Sequence, residues 1–205
     1  MISSYIQEIA LLAVPVLFSI TFHEVSHGYA AFRLGDPTAR NAGRLTLNPI
    51  SHIDPVGLLV LVVTRMIGWA KPVPVDPRYF KNPRQDMMWV SLAGPASNLL
   101  LAVVFAVISG MVPPIAQSSF LYPLAIMLQF MIVINVGLAV FNLIPIPPLD
   151  GSHILQGLLP YEMARSYSKI EPYGFIILLV LVFTRTVNVV IFPIIDFITG
   201  LLMRI

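Results

Sequence analysis

Two histidines and a glutamate form the pattern His23-Glu24-Val25-Ser26-His27 at the end of an apolar run. Helix positions i and i+4 share a face, so both imidazoles can bind one metal ion. Glu24 would then lie beside the open metal position, where it can act as general base on a bound water. The alternative is a pair of core histidines that bond neighbouring helices, although such polar groups are costly in an apolar helix.

A catalytic zinc ion usually has three protein ligands and one open position. The chain has no cysteine, so the ligands must be histidines and carboxylates. Asp150 follows the proline-rich end of the apolar run 120–143, and we predict it as the third ligand. His153 is the runner-up, and Asp150-Gly151 could instead form a turn or a helix cap. We expect one Zn²⁺ per chain.

Four polar residues are candidates for supporting roles. Asn98 and Asn142 lie near the ends of apolar runs, where an amide could stabilise an oxyanion or hold an unwound substrate. The alternative for both is hydrogen bonding between helices. His52 and His153 could contact the metal ligands from outside, but a solvated loop histidine is an equally good interpretation of His52.

The composition is typical of a membrane protein. Hydrophobic residues make up 57% of the chain and charged residues 11%, whereas soluble domains carry about 25% charged residues. The formal net charge of +2 is too small to suggest nucleic-acid binding. The first apolar run has no preceding Lys or Arg and no evident cleavage site, so we expect it to be retained. We predict one membrane-embedded domain over residues 1–205.

The apolar runs predict an all-α polytopic membrane protein with about five to six membrane helices. The runs 6–32, 88–111 and 120–143 are long enough to cross a bilayer, and residues 173–205 contain two apolar segments around Arg185. Residues 56–69 fall short of the ~20 residues needed, which predicts a short re-entrant or tilted helix.

Residues 38–50 contain turn formers and predict a small membrane-embedded β element after the first helix. Extended backbone at membrane depth needs partners. Such an edge could pair with an extended substrate by β-augmentation. A peptide bond within a helix is shielded, so the substrate would first have to unwind locally.

The distribution of Lys and Arg predicts the orientation. Basic residues occur in the regions 33–54, 65–87 and 144–172, and none in the N-terminal tail or in 112–120. The positive-inside rule puts the basic regions in the cytoplasm and the active site toward that side of the plasma membrane. Arg185 fits poorly, because it would fall near the outer surface.

Three motifs in this order resemble the site-2 protease family of intramembrane zinc metalloproteases. They are His23-Glu24-x-x-His27, Gly94-Pro95-x-x-Asn98 and Asn142…Leu149-Asp150-Gly151. Two further runs together resemble the small single-domain prokaryotic members: Leu47-Asn48-Pro49…His52-Ile53-Asp54-Pro55…Gly57 and Gly68-Trp69-Ala70-Lys71-Pro72-Val73-Pro74-Val75. The resemblance implies regulated cleavage of membrane-embedded substrates, with His23, His27 and Asp150 as zinc ligands and Glu24 as base. It also implies that Asn98 and Asn142 lie near the site.

The sequence thus predicts an intramembrane zinc endopeptidase that acts on membrane proteins with a transmembrane helix, within the lipid bilayer. It leaves the oligomeric state open, including a homo-oligomer. A membrane metal-binding or transport protein is the alternative, and it should carry polar groups on several spans that form a path. A catalytically silent membrane scaffold is the third class, and it would have no use for Glu24.

Overall fold

The computed structural model describes residues 2–64, 69–112 and 122–205, and it is all-helical there. Single 3₁₀ turns occur at Pro49–His52, Pro77–Tyr79 and Glu171–Tyr173. The described α-helices are α1 Ile2–Arg33, α2 Thr38–Asn41, α3 Pro55–Thr64, α4 Pro83–Gly110, α5 Tyr122–Asn142, α6 Asp150–Leu158, α7 Tyr161–Ser168, α8 Gly174–Phe183 and α9 Thr186–Leu202.

Helix α4 is the centre of the fold and packs against α1, α5 and α6. Its contact with α5 is made by small alanines of α4 against branched residues of α5, so the two backbones approach closely. Helix α9 packs against α5 and closes this cluster. The buried members are Ala102, Ala106, Ile132, Val136, Val140 and Leu202.

Four of the described stretches are helical, long and apolar enough to cross a membrane: Leu11–Arg33, Pro83–Gly110, Tyr122–Asn142 and Tyr161–Phe183. Val189–Leu202 is apolar but shorter. The prediction of a helical membrane protein agrees with this architecture. The predicted number of about five to six spans is not confirmed, because the C-terminal region is divided into short helices.

Arg185 separates α8 from α9, as the two predicted apolar segments require, and it adopts a left-handed conformation with φ 59°. Gly110, the last residue of α4, lies against the carbonyl of Ile205. Helix α9 therefore ends where α4 ends. Its 17 residues span about 25 Å. Arg185, at the start of α9, therefore lies toward the end of the helices that carries the predicted ligands. The sequence had predicted it near the outer surface.

The region after α1 differs from the predicted β element. Thr38–Asn41 is one helical turn, and within the described ranges no strand forms. A single antiparallel bridge joins Ile53 to Ala70. The turn formers of this region bend the chain back too often for two extended segments to pair over any length.

Helix α3 fits the predicted re-entrant segment. Its 10 residues span about 15 Å, half of the hydrocarbon thickness. Trp69 returns to lie against Gly57, where a Cβ atom would be 2.2 Å from the Trp69 carbonyl oxygen. Ala70 then pairs with Ile53. Trp69 and Ala70 thus lie beside the start of α3. Residues 65–68 lie outside the described residues.

Candidate metal centre

His23 and His27 lie one turn apart on α1 and point to the same place. Their Nε2 atoms are 3.0 Å apart, and the rings are nearly perpendicular, at 88°. His23 is buried, with 6% of its surface exposed. The i, i+4 spacing therefore gives the shared helix face that the sequence predicts.

Asp150 reaches the histidines from the first turn of α6. Its Oδ2 atom lies 3.1 Å from Nε2 of His23 and 3.3 Å from Nε2 of His27. Gly151 makes this approach possible, because a Cβ atom there would be 2.3 Å from the carbonyl oxygen of Leu143. The lack of a side chain lets the start of α6 pack directly on the end of α5. This close contact explains the Asp-Gly pair.

Each histidine uses its second ring nitrogen for a fixed hydrogen bond. Nδ1 of His27 donates to the carbonyl of Val90 at 2.7 Å. Nδ1 of His23 donates to Oδ1 of Asn98 at 2.6 Å. Because a carbonyl can only accept, both protons are on Nδ1 in the neutral rings, and both Nε2 lone pairs face the shared space. This is the usual arrangement of metal-binding histidines.

The donor set fits a zinc ion. Two Nε2 lone pairs and one carboxylate oxygen converge, and three acceptors repel one another unless a cation lies between them. Oδ2 of Asp150 is buried and has no well-formed hydrogen bond. Among the described residues, these three are the group of His, Cys, Asp and Glu side chains that could hold a metal ion. Two imidazoles and one carboxylate leave a fourth tetrahedral position open.

Gly94 provides the space for the imidazole rings. A Cβ atom there would lie 2.4 Å from Nε2 of His27 and 2.6 Å from Cε1 of His23. Helix α4 thus presents bare backbone to both rings. This contact explains why the first residue of the Gly94-Pro95 pair is a glycine.

Glu24 lies next to the metal group and outside it. Its Oε2 atom accepts a hydrogen bond from the backbone N–H of Val73 at 2.8 Å. The carboxylate is within electrostatic reach of His27. The three-residue ligand group does not include Glu24, which leaves this carboxylate available for another role.

A buried amide network holds His23 from behind. The amide nitrogen of Asn98 donates to the carbonyl of Ser19 at 3.2 Å and to Oδ1 of Asn135 at 2.8 Å. Asn135 donates in turn to the Ser19 hydroxyl at 2.8 Å. Both amide hydrogens of Asn98 are thereby used, and its oxygen orients His23. Asn135 was not among the residues predicted from the sequence, although a lone amide in the middle of an apolar span is a signal for it.

Three predicted residues lie outside this network. The amide of Asn142 donates to Leu138 of its own helix at 2.9 Å. His52 is buried and bonds the carbonyl of Thr46. His153, the runner-up ligand, is on α6 but is not in the ligand group. The supporting roles of Asn142, His52 and His153 stay predictions.

Residues 108–184 match the sequence model of peptidase family M50. The candidate zinc metalloprotease YwhC of Bacillus subtilis is 39% identical over 188 residues, which cover 90% of this chain and 85% of YwhC. The chain belongs to peptidase family M50. This is the site-2 protease family, so the resemblance found in the sequence is confirmed.

Other relatives carry similar names. The candidate zinc metalloprotease Rip2 of Mycolicibacterium smegmatis is 34% identical over 189 residues, which cover 90% of this chain and 71% of Rip2. MJ0611 of Methanocaldococcus jannaschii, also a candidate zinc metalloprotease, is 42% identical over 67 residues, about a third of each chain. No solved structure gives a significant match. The M50 assignment and the four long apolar helices identify the chain as a membrane protein of a zinc protease family.

Proposed function

We propose that this protein is an intramembrane zinc endopeptidase that hydrolyses peptide bonds within or next to transmembrane segments. The convergence of His23, His27 and Asp150, with Glu24 beside them but outside the ligand group, carries this proposal. The histidines are on a helix long and apolar enough to span a bilayer. A peptidase in this position would act on bonds that soluble proteases cannot reach.

In this mechanism His23, His27 and Asp150 would hold one zinc ion. The bound ion would supply Lewis acidity and a water acidified to a pKa of about 7. Glu24 takes the proton of the attacking water while the new C–O bond forms at the scissile carbonyl. Glu24 then gives the proton to the leaving amine as the C–N bond breaks. Asn98 and Val90 keep the imidazoles in the metal-binding tautomer throughout.

The substrate in this proposal is a membrane protein with a transmembrane helix that unwinds locally at the cleaved bond. Low dielectric around the site strengthens the electrostatic stabilisation of the transition state. The basic residues of the loops support a plasma-membrane protein whose active site is toward the cytoplasm. A helical substrate that is cleaved equally well with and without helix-breaking residues would contradict the unwinding step.

Metal content is the first test. We expect elemental analysis of the detergent-purified protein to give about one zinc per chain in both wild type and Glu24→Gln. Zinc lost only in Glu24→Gln would make Glu24 a ligand. No zinc in either protein, even after reconstitution with ZnSO₄, would overturn the proposal.

Cleavage is the second test, and it needs no known substrate. Purified protein would be mixed with detergent-solubilised bacterial inner membranes, and new N-termini would be identified by mass spectrometry. We expect termini within transmembrane segments for wild type, and none for zinc-loaded Glu24→Gln or for chelator-treated wild type. Zinc-loaded wild type that produces no such termini would instead favour a metal-binding or transport protein.

A further inference from the structure

The metal ligands do not explain the proline-rich motif that follows Trp69. The structure lays residues 70–76, here called the 70–76 segment, across the second half of α1. Three of its backbone N–H groups are hydrogen-bonded: Lys71 N to the His52 carbonyl at 2.9 Å, Val73 N to Glu24 Oε2 at 2.8 Å, and Asp76 N to Asp36 Oδ2 at 2.7 Å. Two of the three acceptors are carboxylates: Glu24 lies within α1, and Asp36 lies just after its end.

The surface of α1 is shaped to receive Val73. Gly28 lies one turn after Glu24, and a Cβ atom on it would be 2.8 Å from Cγ1 of Val73 and 2.7 Å from Cδ2 of Leu45. The Val73 side chain is 7% exposed, although Lys71 and Pro72 before it are exposed. The side chain thus anchors the segment against bare helix backbone, and the backbone N–H meets Glu24.

The two prolines restrict this part of the chain. Proline has no backbone N–H, so Val73 provides the only backbone donor of Pro72-Val73-Pro74. A residue before proline is confined to extended conformations, which applies to Lys71 and to Val73 itself. Restricted backbone loses less entropy when it is ordered, so the donor is held in place before any substrate arrives.

We propose that Val73 is a positioning residue, whose backbone N–H fixes the rotamer of the Glu24 carboxylate. The bond occupies Oε2. No hydrogen bond from the described residues reaches Oε1, so this oxygen is left to take the proton of the attacking water. The proposal rests on the proposed role of Glu24 as base. It assigns the proline-rich motif to orientation of that base, while α4 and α6 complete the metal site.

Hydrogen exchange tests the contact independently of any protease activity. In wild type, NMR should find the amide of Val73 protected. In Glu24→Ala its exchange should be about tenfold or more faster, since a hydrogen bond to a carboxylate has been lost. The matched control is the amide of Asp76, which bonds Asp36 and should be unaffected. Equal exchange of Val73 in both proteins would overturn the proposal even if the protein is a protease.

Kinetics test the consequence, with a fluorogenic peptide built on a segment cleaved in the membrane digest. Val73→Pro removes the N–H, and we expect kcat to fall about 10–100-fold while KM and zinc content stay unchanged. Val73→Ala keeps the N–H and should recover most of this loss. Val75→Pro removes an N–H that has no hydrogen-bond partner among the described residues, and it should stay within about twofold of wild type.

Three results show how a change in Val73→Pro, or its absence, is to be interpreted. Unchanged kcat in folded, zinc-loaded Val73→Pro would contradict the positioning role. Loss of zinc in Val73→Pro would mean that the segment supports the metal site as a whole. Replacing the Val73 amide by an ester, through the α-hydroxy analogue of valine, removes only the N–H and should reproduce the kcat loss if proline has disturbed the fold.

Discussion

The histidine side of the site and the glutamate side are held by different kinds of structure. His23 is oriented by Asn98, which belongs to a buried network of side chains on three helices. Glu24 is oriented by one backbone N–H of a non-helical segment. Asn98 and Asn135 are fully buried, whereas Glu24 is half-buried and the residues before Val73 are exposed.

This difference separates two requirements of a metallopeptidase. Metal ligands have to keep their geometry through the whole reaction, and packed helices with buried amides provide the rigidity. A general base also has to exchange protons and meet substrate. A backbone donor from a loop can orient it without enclosing it. Substitutions on the two sides should therefore affect different measurements: zinc content on the histidine side, and kcat at full zinc content on the glutamate side.

The largest effect is expected for Gly94→Ala. The new methyl group would overlap both imidazole rings, which lie 2.4 and 2.6 Å from the Cβ position. We expect zinc affinity to fall about 100-fold and activity to be lost with it. Competition with a chromogenic chelator measures the affinity.

Gly137→Ala is the matched control, because its Cβ atom would have a single neighbour at 3.9 Å, the side chain of Ile195. It should bind zinc as wild type does. Wild-type zinc affinity in Gly94→Ala would mean that the packed helices around the histidines adapt to the added methyl group, which would contradict a rigid histidine side.

Two asparagines on α5 give an intermediate effect. Asn135→Ala leaves the Ser19 hydroxyl and one amide hydrogen of Asn98 without their partner. We expect about 1–2 kcal/mol lower stability and about tenfold weaker zinc binding. Among the described residues, the Asn142 side chain bonds only its own helix, so the unfolding free energy of Asn142→Ala should change by about 0.5 kcal/mol or less.

Thermal unfolding in detergent and zinc titration would measure both variants. Equal losses of stability and of zinc affinity in Asn135→Ala and Asn142→Ala would show that the buried network contributes nothing specific to the histidine side.

The smallest effect is a pH dependence at Asp54. This residue lies two positions after His52, where Lys71 of the 70–76 segment is attached. The Asp54 carboxylate accepts hydrogen bonds from the backbone of Gly57 and Val56, and with Trp69 and Lys71 these lower its pKa below the ordinary 3.8. Because the pKa is lowered in the folded state, the stabilisation is fully present above pH 3.8. It is lost as the pH falls through the folded-state value.

We therefore expect the amides of Val56 and Gly57 to stay protected from hydrogen exchange down to about pH 3.8. Below this pH their protection, measured relative to intrinsic exchange rates, should be lost. Asp54→Asn should remove this pH dependence. Protection already lost between pH 6 and 5 would point to a different titrating group near the first attachment of the 70–76 segment.

Much of the site could be predicted from the sequence. The i, i+4 spacing of His23 and His27 follows from helix geometry, and Asp150 stood out as a carboxylate at the end of an apolar span. The predicted β element was not confirmed, because short turn-rich stretches do not reveal whether two extended segments have room to pair. Asn135 was missed, because a single amide carries no spacing signal and its partners lie 37 and 116 residues away in the chain.

The sequence by itself determined the family, the helical membrane architecture and the identity of the chemical groups, since these depend on local spacing and composition. The tertiary structure decided which group acts on which. Helix α6 brings Asp150 to the histidines, Gly94 makes room for them, and the Val73 amide meets Glu24. These pairings depend on close approach between distant parts of the chain, and packing sets such distances to a fraction of an ångström.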